Sequence, residues 1–205
     1  MPKETFFNLT ENKKSKLIEA AEQEFARAPL HEASIANIIK TAGIPRGSFY
    51  QYFSDKEDLY FFLLDSKLQT SKKNFIKALE KHHGDIFEAF IKIYNDFLIT
   101  MPDEEEHNFI KNALLFATYR VENTFADIFD STSDREHFNR LMELIDHKPF
   151  KDKEEVISIL QMIGAIAFHN SIVKLTNKLS DEVAIKQFRI QMNFIKYGVY
   201  TEKSK

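Results

Sequence analysis

The segment Ser34–Leu59, SIANIIKTAGIPRGSFYQYFSDKEDL, determines the predicted fold of this 205-residue chain. Its first third spaces three isoleucines along one apolar face of a helix. Ser34 stands where its side chain can cap the first turn of that helix. Gly43 then supplies the permissive backbone that a tight turn needs, and Pro45 suits the first turn of a second helix. The segment therefore predicts two short helices joined by a sharp turn.

The second helix, residues 45–53, carries many side chains that bind phosphates and base edges. These side chains surround Gly47, whose small size permits a close approach to another molecule. A short helix of this composition fits the major groove of DNA. The polar and aromatic set is Arg46, Ser48, Tyr50, Gln51 and Tyr52.

The sequence GIPRGSFYQYF at 43–53, followed by KEDL at 56–59, resembles the signature of the TetR family of bacterial transcriptional repressors. The resemblance covers about the first third of the chain. It departs from the family at Pro45, where a small polar residue is more common and where proline removes a backbone donor. The resemblance implies that Ser34 and Lys56 touch phosphate. It also implies that the following residues face DNA: Arg46, Gly47, Ser48, Tyr50, Gln51 and Tyr52.

Composition favours an all-α protein with two domains. The chain has only five Gly and five Pro, and helix formers dominate between these breakers. We predict that residues 1–54 form a three-helix helix-turn-helix DNA-binding domain, and that residues 55–205 form a larger helical ligand-binding and dimerisation domain. Ser54 is expected to cap a connecting helix at 55–68.

The charge and the hydropathy of the chain predict a soluble, cytoplasmic protein. The net charge is only −3, but several lysines and Arg46 lie in the first third, so a basic surface for DNA can be local. The chain has no Cys, which suits a reducing compartment. No apolar run approaches the roughly 20 residues needed to span a bilayer, and we expect no membrane partner.

The middle of the chain predicts helices that surround a cavity. Helical segments are expected at 85–99, 105–120 and 123–142, the last with a break at 131–134. The chain has 20 Phe and 7 Tyr, many of them in these middle helices. Any single Phe is more simply explained as core, but the set together makes an apolar or aromatic ligand a candidate effector. The residues expected to line this cavity are Met101, Phe109, Phe116, Tyr119, Phe125, Phe129, Phe168 and His169.

Residues 153–200 predict a helical hairpin that forms the dimer interface. The two helices, 153–178 and 181–200, are joined by a short turn, and the first is apolar over a wider arc than one partner helix covers. Two copies of the hairpin would form a four-helix bundle across a two-fold axis, as the family resemblance also implies. The predicted interface residues are Ile157, Leu160, Gly164, Ala167, Phe188, Met192, Ile195 and Val199.

The seven histidines show no spacing typical of a metal site, and no metal or cofactor is predicted. His169 differs from the others because it lies on a largely apolar helix, where an imidazole needs a partner. The His169-Asn170 pair is similar to that of TetR-type regulators that sense haem, which makes a haem effector an alternative, with Tyr119 opposite. Lys72, or a neighbour, stands where some of those regulators carry a second histidine, which is a departure from their pattern.

The sequence carries no catalytic motif. It lacks a glycine-rich phosphate loop, a cysteine nucleophile and a GxSxG elbow, so an enzyme is not expected. We predict a homodimeric repressor that binds a palindromic operator in double-stranded DNA and is released by a small-molecule effector. The alternative from a different functional class is a helical interaction dimer that does not bind DNA.

Overall fold

The computed structural model describes residues 2–100, 108–126 and 134–198, and within these ranges every regular element is an α-helix. The prediction of an all-α fold is confirmed. The helices are α1 (Glu4–Phe7), α2 (Glu11–Arg27), α3 (Ile35–Ala42), α4 (Arg46–Tyr52), α5 (Lys56–Lys81), α6 (Ile86–Thr100), α7 (Phe109–Leu115), α8 (Tyr119–Ala126), α9 (Arg135–Leu144), α10 (Lys153–Asn177) and α11 (Asp181–Tyr197).

The chain divides into two compact units, but not at the predicted boundary after residue 54. The described part of the first unit comprises residues 2–69 and 108–121, and that of the second comprises 70–100, 122–126 and 134–198. One reason is that α5 is a single helix whose first half belongs to the first unit and whose second half belongs to the second. The other is that α7, though distant in sequence, folds with the N-terminal helices.

The first unit is built around the apolar face of α2, which buries Leu17 and Phe25. Phe109 of α7 extends this core, because its ring lies 5.9 Å from that of Phe25 and 5.0 Å from that of Tyr60. Asn112 fixes α7 to the end of α2: its amide nitrogen donates to the carbonyls of Phe25 at 2.9 Å and Ala26 at 2.8 Å. Two carbonyls that a helix end leaves without partners are thereby satisfied.

The second unit has its own core, formed by the second half of α5 and by α6, α9, α10 and α11. Its largest fully buried side chains include Phe75, Leu79, Leu98 and Phe188. Lys196 of α11 donates to Asp85 at 2.6 Å, and Asp85 also caps α6 by accepting from two of its first backbone N–H groups. A single carboxylate therefore ties the last helix to the start of α6.

Two predicted helix boundaries are corrected. Asp55, not Ser54, caps α5: it accepts from the N–H of Asp58 at 2.8 Å, while Asp58 accepts from the N–H of Ser54 at 3.1 Å. The segment predicted as one helix at 105–120 contains α7, which ends at Leu115, and the start of α8. Of the predicted break at 131–134, only Asp134 lies within the described residues, and it caps α9.

Glycine is required at position 84, because both the backbone conformation and the lack of space for a Cβ exclude other residues. Its φ of +82° is in the left-handed region, and a Cβ there would lie 2.4 Å from the carbonyl oxygen of Leu144 and 2.6 Å from the backbone nitrogen of Asp146. Gly84 in turn accepts a hydrogen bond from Asp146 at 3.0 Å. The α5–α6 turn and the end of α9 thus touch backbone to backbone.

We expect Gly84→Ala to lower the free energy of unfolding by about 2 kcal/mol or more, because strain and a backbone clash act together. Urea denaturation measures this change. Gly198→Ala is the matched control in the same unit, since Gly198 has a φ of +86° but a Cβ there would meet no atom within 4 Å. An equal loss in both variants would contradict the backbone contact.

Candidate nucleic-acid interface

The helices α3 and α4 are joined by a turn of the predicted kind. Gly43 adopts a φ of +67° and a ψ of +33°, a left-handed conformation that ends α3. The N–H of Ile44 donates to the carbonyl of Ile39 at 3.1 Å, which closes the turn. Pro45 is extended and occupies the position before α4 rather than its first turn. The chain therefore restarts as a helix within two residues.

One side of α4 anchors the helix and the other faces solvent. Phe49 and Phe53 are fully buried in the first unit. Of the predicted DNA-facing residues, Arg46, Gly47 and Gln51 are exposed, and Tyr50 is 41% exposed. The remaining two, Ser48 and Tyr52, are half-buried at the edges of this face. All six residues lie on one seven-residue helix.

Gly47 is not required by the packing of the protein. A Cβ at this position would meet no atom of another segment within 4 Å, and its φ is not in the left-handed region. Glycine inside a helix is about 0.5–1 kcal/mol less favourable than alanine. Within the described residues, no packing contact accounts for this cost.

Glu24 joins α2 to the start of α3. Its carboxylate is only 5% exposed. It accepts two hydrogen bonds from Arg27, at 2.6 and 3.0 Å, and one from the N–H of Ser34 at 2.8 Å. The side-chain amide of Asn37 lies 3.2 Å from both oxygens. These contacts lower the pKa of Glu24 to about 2. The hydrogen bonds from Arg27 are the largest cause, and they outweigh burial, which alone would raise the pKa.

Ser34 and Lys56, the two predicted phosphate contacts, also have roles inside the first unit. Ser34 precedes α3, but its side chain makes no capping hydrogen bond and its backbone N–H is held by Glu24. The ammonium of Lys56 donates to the carbonyls of His31 at 2.9 Å and Ala33 at 3.0 Å. Lys56 therefore braces the loop before α3, a role that sequence spacing did not reveal.

Two family models match the chain. Residues 17–61 match "Bacterial regulatory proteins, tetR family", and residues 85–199, more than half of the chain, match "Tetracyclin repressor-like, C-terminal domain". The chain belongs to the TetR family. The predicted family is thus confirmed, and TetR-family proteins are transcriptional regulators that bind DNA and generally are not enzymes.

Known relatives support the same assignment. YvdT of Bacillus subtilis, an uncharacterised HTH-type transcriptional regulator, is 37% identical over 49% of this chain and 49% of its own length. A putative TetR-family regulator from Syntrophomonas wolfei has the same fold, with a TM-score of 0.64 and 21% identity over 94% of this chain and 98% of its own. FadR of B. subtilis, solved with stearoyl-CoA, has a TM-score of 0.59 and 19% identity over 91% of this chain and 99% of its own. The chain spans about half the length, or less, of the curated relatives it matches.

The described residues predicted to line a ligand cavity are divided between the two units. Phe109 lies in the core of the first unit, and in the same unit Phe116 is half exposed and Tyr119 is 80% exposed. In the second unit, Phe125 and Phe168 are half-buried, and their ring centroids are 5.2 Å apart. Met101 and Phe129 lie outside the described residues.

His169 lies on α10, which is largely apolar as predicted, and its side chain is exposed within one chain. Among residues 2–100, 108–126 and 134–198, no group of three or more His, Cys, Asp or Glu side chains is arranged to hold a metal ion. Lys72 is buried instead, with its ammonium 3.6 Å from the carboxylate of Asp134. The described geometry gives a haem effector no support.

The predicted interface residues of α10 and α11 divide into two groups. Ile157, Gly164, Ala167 and Ile195 are half-buried, whereas the others with a described position are core residues of a single subunit. Leu160, Phe188 and Met192 are at most 1% exposed, because they pack between α6, α10 and α11, and Val199 lies outside the described residues. The prediction for these three buried residues is therefore corrected.

The exposed apolar residues of the hairpin are not among those predicted from the sequence. On α11 they recur at helical spacing, and a further one, Met162, lies on α10. α10 is also long and apolar enough, by length and composition alone, to cross a membrane, although we predicted no apolar run of that length. Much of the apolar surface of α10 is not covered by other helices within one chain. The exposed α11 residues are Val183, Ile190, Phe194 and Tyr197.

We expect Glu24→Gln to lower the free energy of unfolding at neutral pH by about 1–3 kcal/mol, because a buried ionic hydrogen-bond network loses its charge. Since folding lowers the pKa of Glu24 from 4.5 to about 2, the stabilisation by Glu24 is complete above pH 4.5 and is lost as the pH falls through that interval. The gap between wild type and variant should therefore shrink below pH 4.5.

Urea denaturation at a series of pH values measures this gap. Glu19→Gln, at an exposed glutamate of the same helix, is the control and should differ from wild type by less than about 0.5 kcal/mol. A gap for Glu24→Gln that does not change with pH would show that the variant acts by packing and not by charge.

Proposed function

We propose that this protein is a cytoplasmic repressor that binds a palindromic DNA operator as a homodimer and is released by a small molecule. The outer face of α4 is the observation that supports DNA binding in this proposal. It presents Arg46, Tyr50 and Gln51 to solvent beside a glycine that internal packing does not require. Arginine and glutamine bind guanine and adenine edges in the major groove, and tyrosine binds phosphate, so this face suits sequence reading.

Selection from a randomised duplex library of about 30 base pairs tests this proposal, because such a length accommodates two half-sites. The wild-type protein should enrich a palindromic sequence, and the double variant Tyr50→Ala, Gln51→Ala should not. If the wild type enriches no sequence at low salt, the chain is instead a helical dimer that does not read DNA. If the double variant enriches the same sequence, the reading residues lie elsewhere.

Gly47→Ala should separate stability from DNA binding. Alanine removes the cost of glycine in α4, so the free energy of unfolding should rise by about 0.5–1 kcal/mol. The added methyl group meets DNA if the face is a close-fitting interface, so affinity for the selected duplex should fall by about threefold or more.

Fluorescence anisotropy and urea denaturation measure the two effects of Gly47→Ala. Asn74→Ala is the control, because this exposed residue lies inside α5 and gains helix propensity without touching the α4 face. An affinity equal to that of wild type would mean that Gly47 does not approach the DNA closely.

The homodimer is proposed from the open apolar face of the hairpin. The exposed residues of α11 form one stripe, and continuous apolar surface of this kind marks an interaction site on a soluble protein. A second copy of the same hairpin would cover this stripe together with the half-buried residues of α10 as a four-helix bundle. TetR-family regulators act as dimers, which supports a second copy as the occupant rather than a lipid.

Phe194→Asp should convert the dimer to a monomer, because Phe194 is 50% exposed in one chain and a carboxylate in a dimer core has no partner. The monomer should also lose most of its affinity for a two-half-site duplex. Analytical ultracentrifugation measures the mass, and Ile99→Asp makes the same change at an exposed apolar residue of α6. A monomeric Ile99→Asp or a dimeric Phe194→Asp would contradict this interface.

The effector is proposed to be apolar or aromatic and to bind in the second unit. The half-buried rings of Phe125 and Phe168 support this class of ligand, and the similar fold of FadR was solved with stearoyl-CoA. Release then requires that the effector bind more tightly to a conformation in which the DNA-binding helices no longer match their half-sites. α5, which contributes residues to both units, is the element proposed to carry this change.

A panel of acyl and aromatic compounds, added to protein bound to the selected duplex, tests the effector class. Release by members of this panel that leaves the dimer mass unchanged supports the proposal. Release by polar or cationic compounds alone would assign a different chemistry to the effector.

A further inference from the structure

The carboxyl end of α4 is covered by residues that precede α2. A helix leaves its last four carbonyl groups without partners inside the helix. In α4, the carbonyl of Phe49 accepts from the N–H of Phe53 at 2.9 Å, which leaves the carbonyls of Tyr50, Gln51 and Tyr52. Each of these three accepts a hydrogen bond from the N-terminal segment.

Two residues of this segment supply all three donors. The ammonium of Lys3 donates to the carbonyl of Tyr50 at 2.8 Å, and the backbone N–H of Lys3 donates to that of Tyr52 at 2.8 Å. The hydroxyl of Thr5 donates to the carbonyl of Gln51, which lies between them. The charge of Lys3 also lies at the negative end of the helix dipole, where a cation is stabilising.

Phe6 anchors the segment against the same core that holds α4. Its side chain is buried, and its ring centroid lies 5.0 Å from that of Phe53 and 5.3 Å from that of Phe62. The donor residues that precede Phe6 and the acceptor residues that precede Phe53 are therefore held close to one another. Apolar packing therefore supports this contact in addition to the three hydrogen bonds.

We propose that Lys3 and Thr5 are positioning residues for DNA reading, which hold the last turn of α4 in the conformation that Tyr50 and Gln51 need. This inference rests on the proposed function. The carbonyls that the segment holds belong to the same residues whose side chains face outward from α4. A helix of seven residues is too short to keep its last turn ordered by its own hydrogen bonds. Loss of these donors lets the turn fray and moves the reading side chains.

A direct phosphate contact by Lys3 is the competing explanation, and Thr5 distinguishes the two. Removing a lysine that touches phosphate weakens binding to every sequence alike and lowers the salt slope by about one. Thr5→Val removes only a hydroxyl donor and leaves charge and shape nearly unchanged. A positioning role predicts that this variant loses affinity for the selected duplex and keeps its affinity for unrelated sequence.

The test compares Thr5→Val, Thr5→Ser and Lys3→Met in the full chain. The probes are the duplex that wild type enriches from the randomised library and a scrambled duplex of equal composition. Thr5→Val should bind the enriched duplex about three- to tenfold more weakly, as expected for one lost hydrogen bond, with an unchanged salt slope. Thr5→Ser keeps the hydroxyl and should bind like wild type. Lys13→Met, at an exposed lysine of α2, controls for the loss of one charge in Lys3→Met.

Thr5→Val that binds both duplexes like wild type, or that weakens both equally, would overturn the inference. Hydrogen exchange without DNA provides an independent measure, because the N–H of Phe53 should exchange faster in Thr5→Val at unchanged global stability. If wild type enriches no sequence, the proposed function fails, and the exchange rate alone decides whether the segment braces α4. An unchanged rate would then reject the bracing as well.

Discussion

The carboxylate of Glu24 is the constraint on which the first unit depends. A charge buried to this degree is costly unless several donors satisfy it, and here donors from α2, from the residue before α3 and from within α3 converge on one pair of oxygens. The crossing of α2 and α3 is thereby fixed at the point where α3 begins. Since only Gly43 and the two residues after it separate α3 from α4, fixing the first helix also limits where the reading helix can lie.

Helix ends in the first unit are completed by distant parts of the chain. Asn112 donates to the last carbonyls of α2, and the segment before α2 donates to the last carbonyls of α4. Neither helix satisfies these carbonyl groups by its own backbone hydrogen bonds. The consequence is that α7, from the part of the chain matched by the C-terminal family model, is a structural component of the first unit. A displacement of α7 would therefore disturb its hydrogen bonds to the end of α2.

The sequence predicted the local features well because local chemistry determines them. Gly43 and the spacing of the isoleucines define α3 and its turn within a few residues, and the TetR signature adds the outward face of α4. The roles of Lys56 and Phe109 could not be predicted, because their partners, His31 and Phe25, are distant in sequence. Residue spacing contains no information about which distant segments meet.

The hairpin shows a different limit of sequence-based prediction. α10 carries apolar or small residues around most of its circumference, so periodicity does not tell which face packs inside the subunit and which faces outward. The pattern therefore predicts an interface position for Leu160, although this residue belongs to the core. On α11 the stripe that ends at Tyr197 does have a helical period, but an equally apolar row through Phe188 lies behind it. Only the packed structure separates the two rows.

The proposed function requires that two copies of α4 read DNA together across a two-fold axis. Hydroxyl-radical footprinting of the protein on its enriched duplex tests this claim most directly. A symmetric pair of α4 helices should give two protected segments related by the palindrome, with centres one helical turn or a multiple of about 34–36 Å apart on the same face of the duplex. A single protected segment, or protection that does not follow the palindrome, would contradict it.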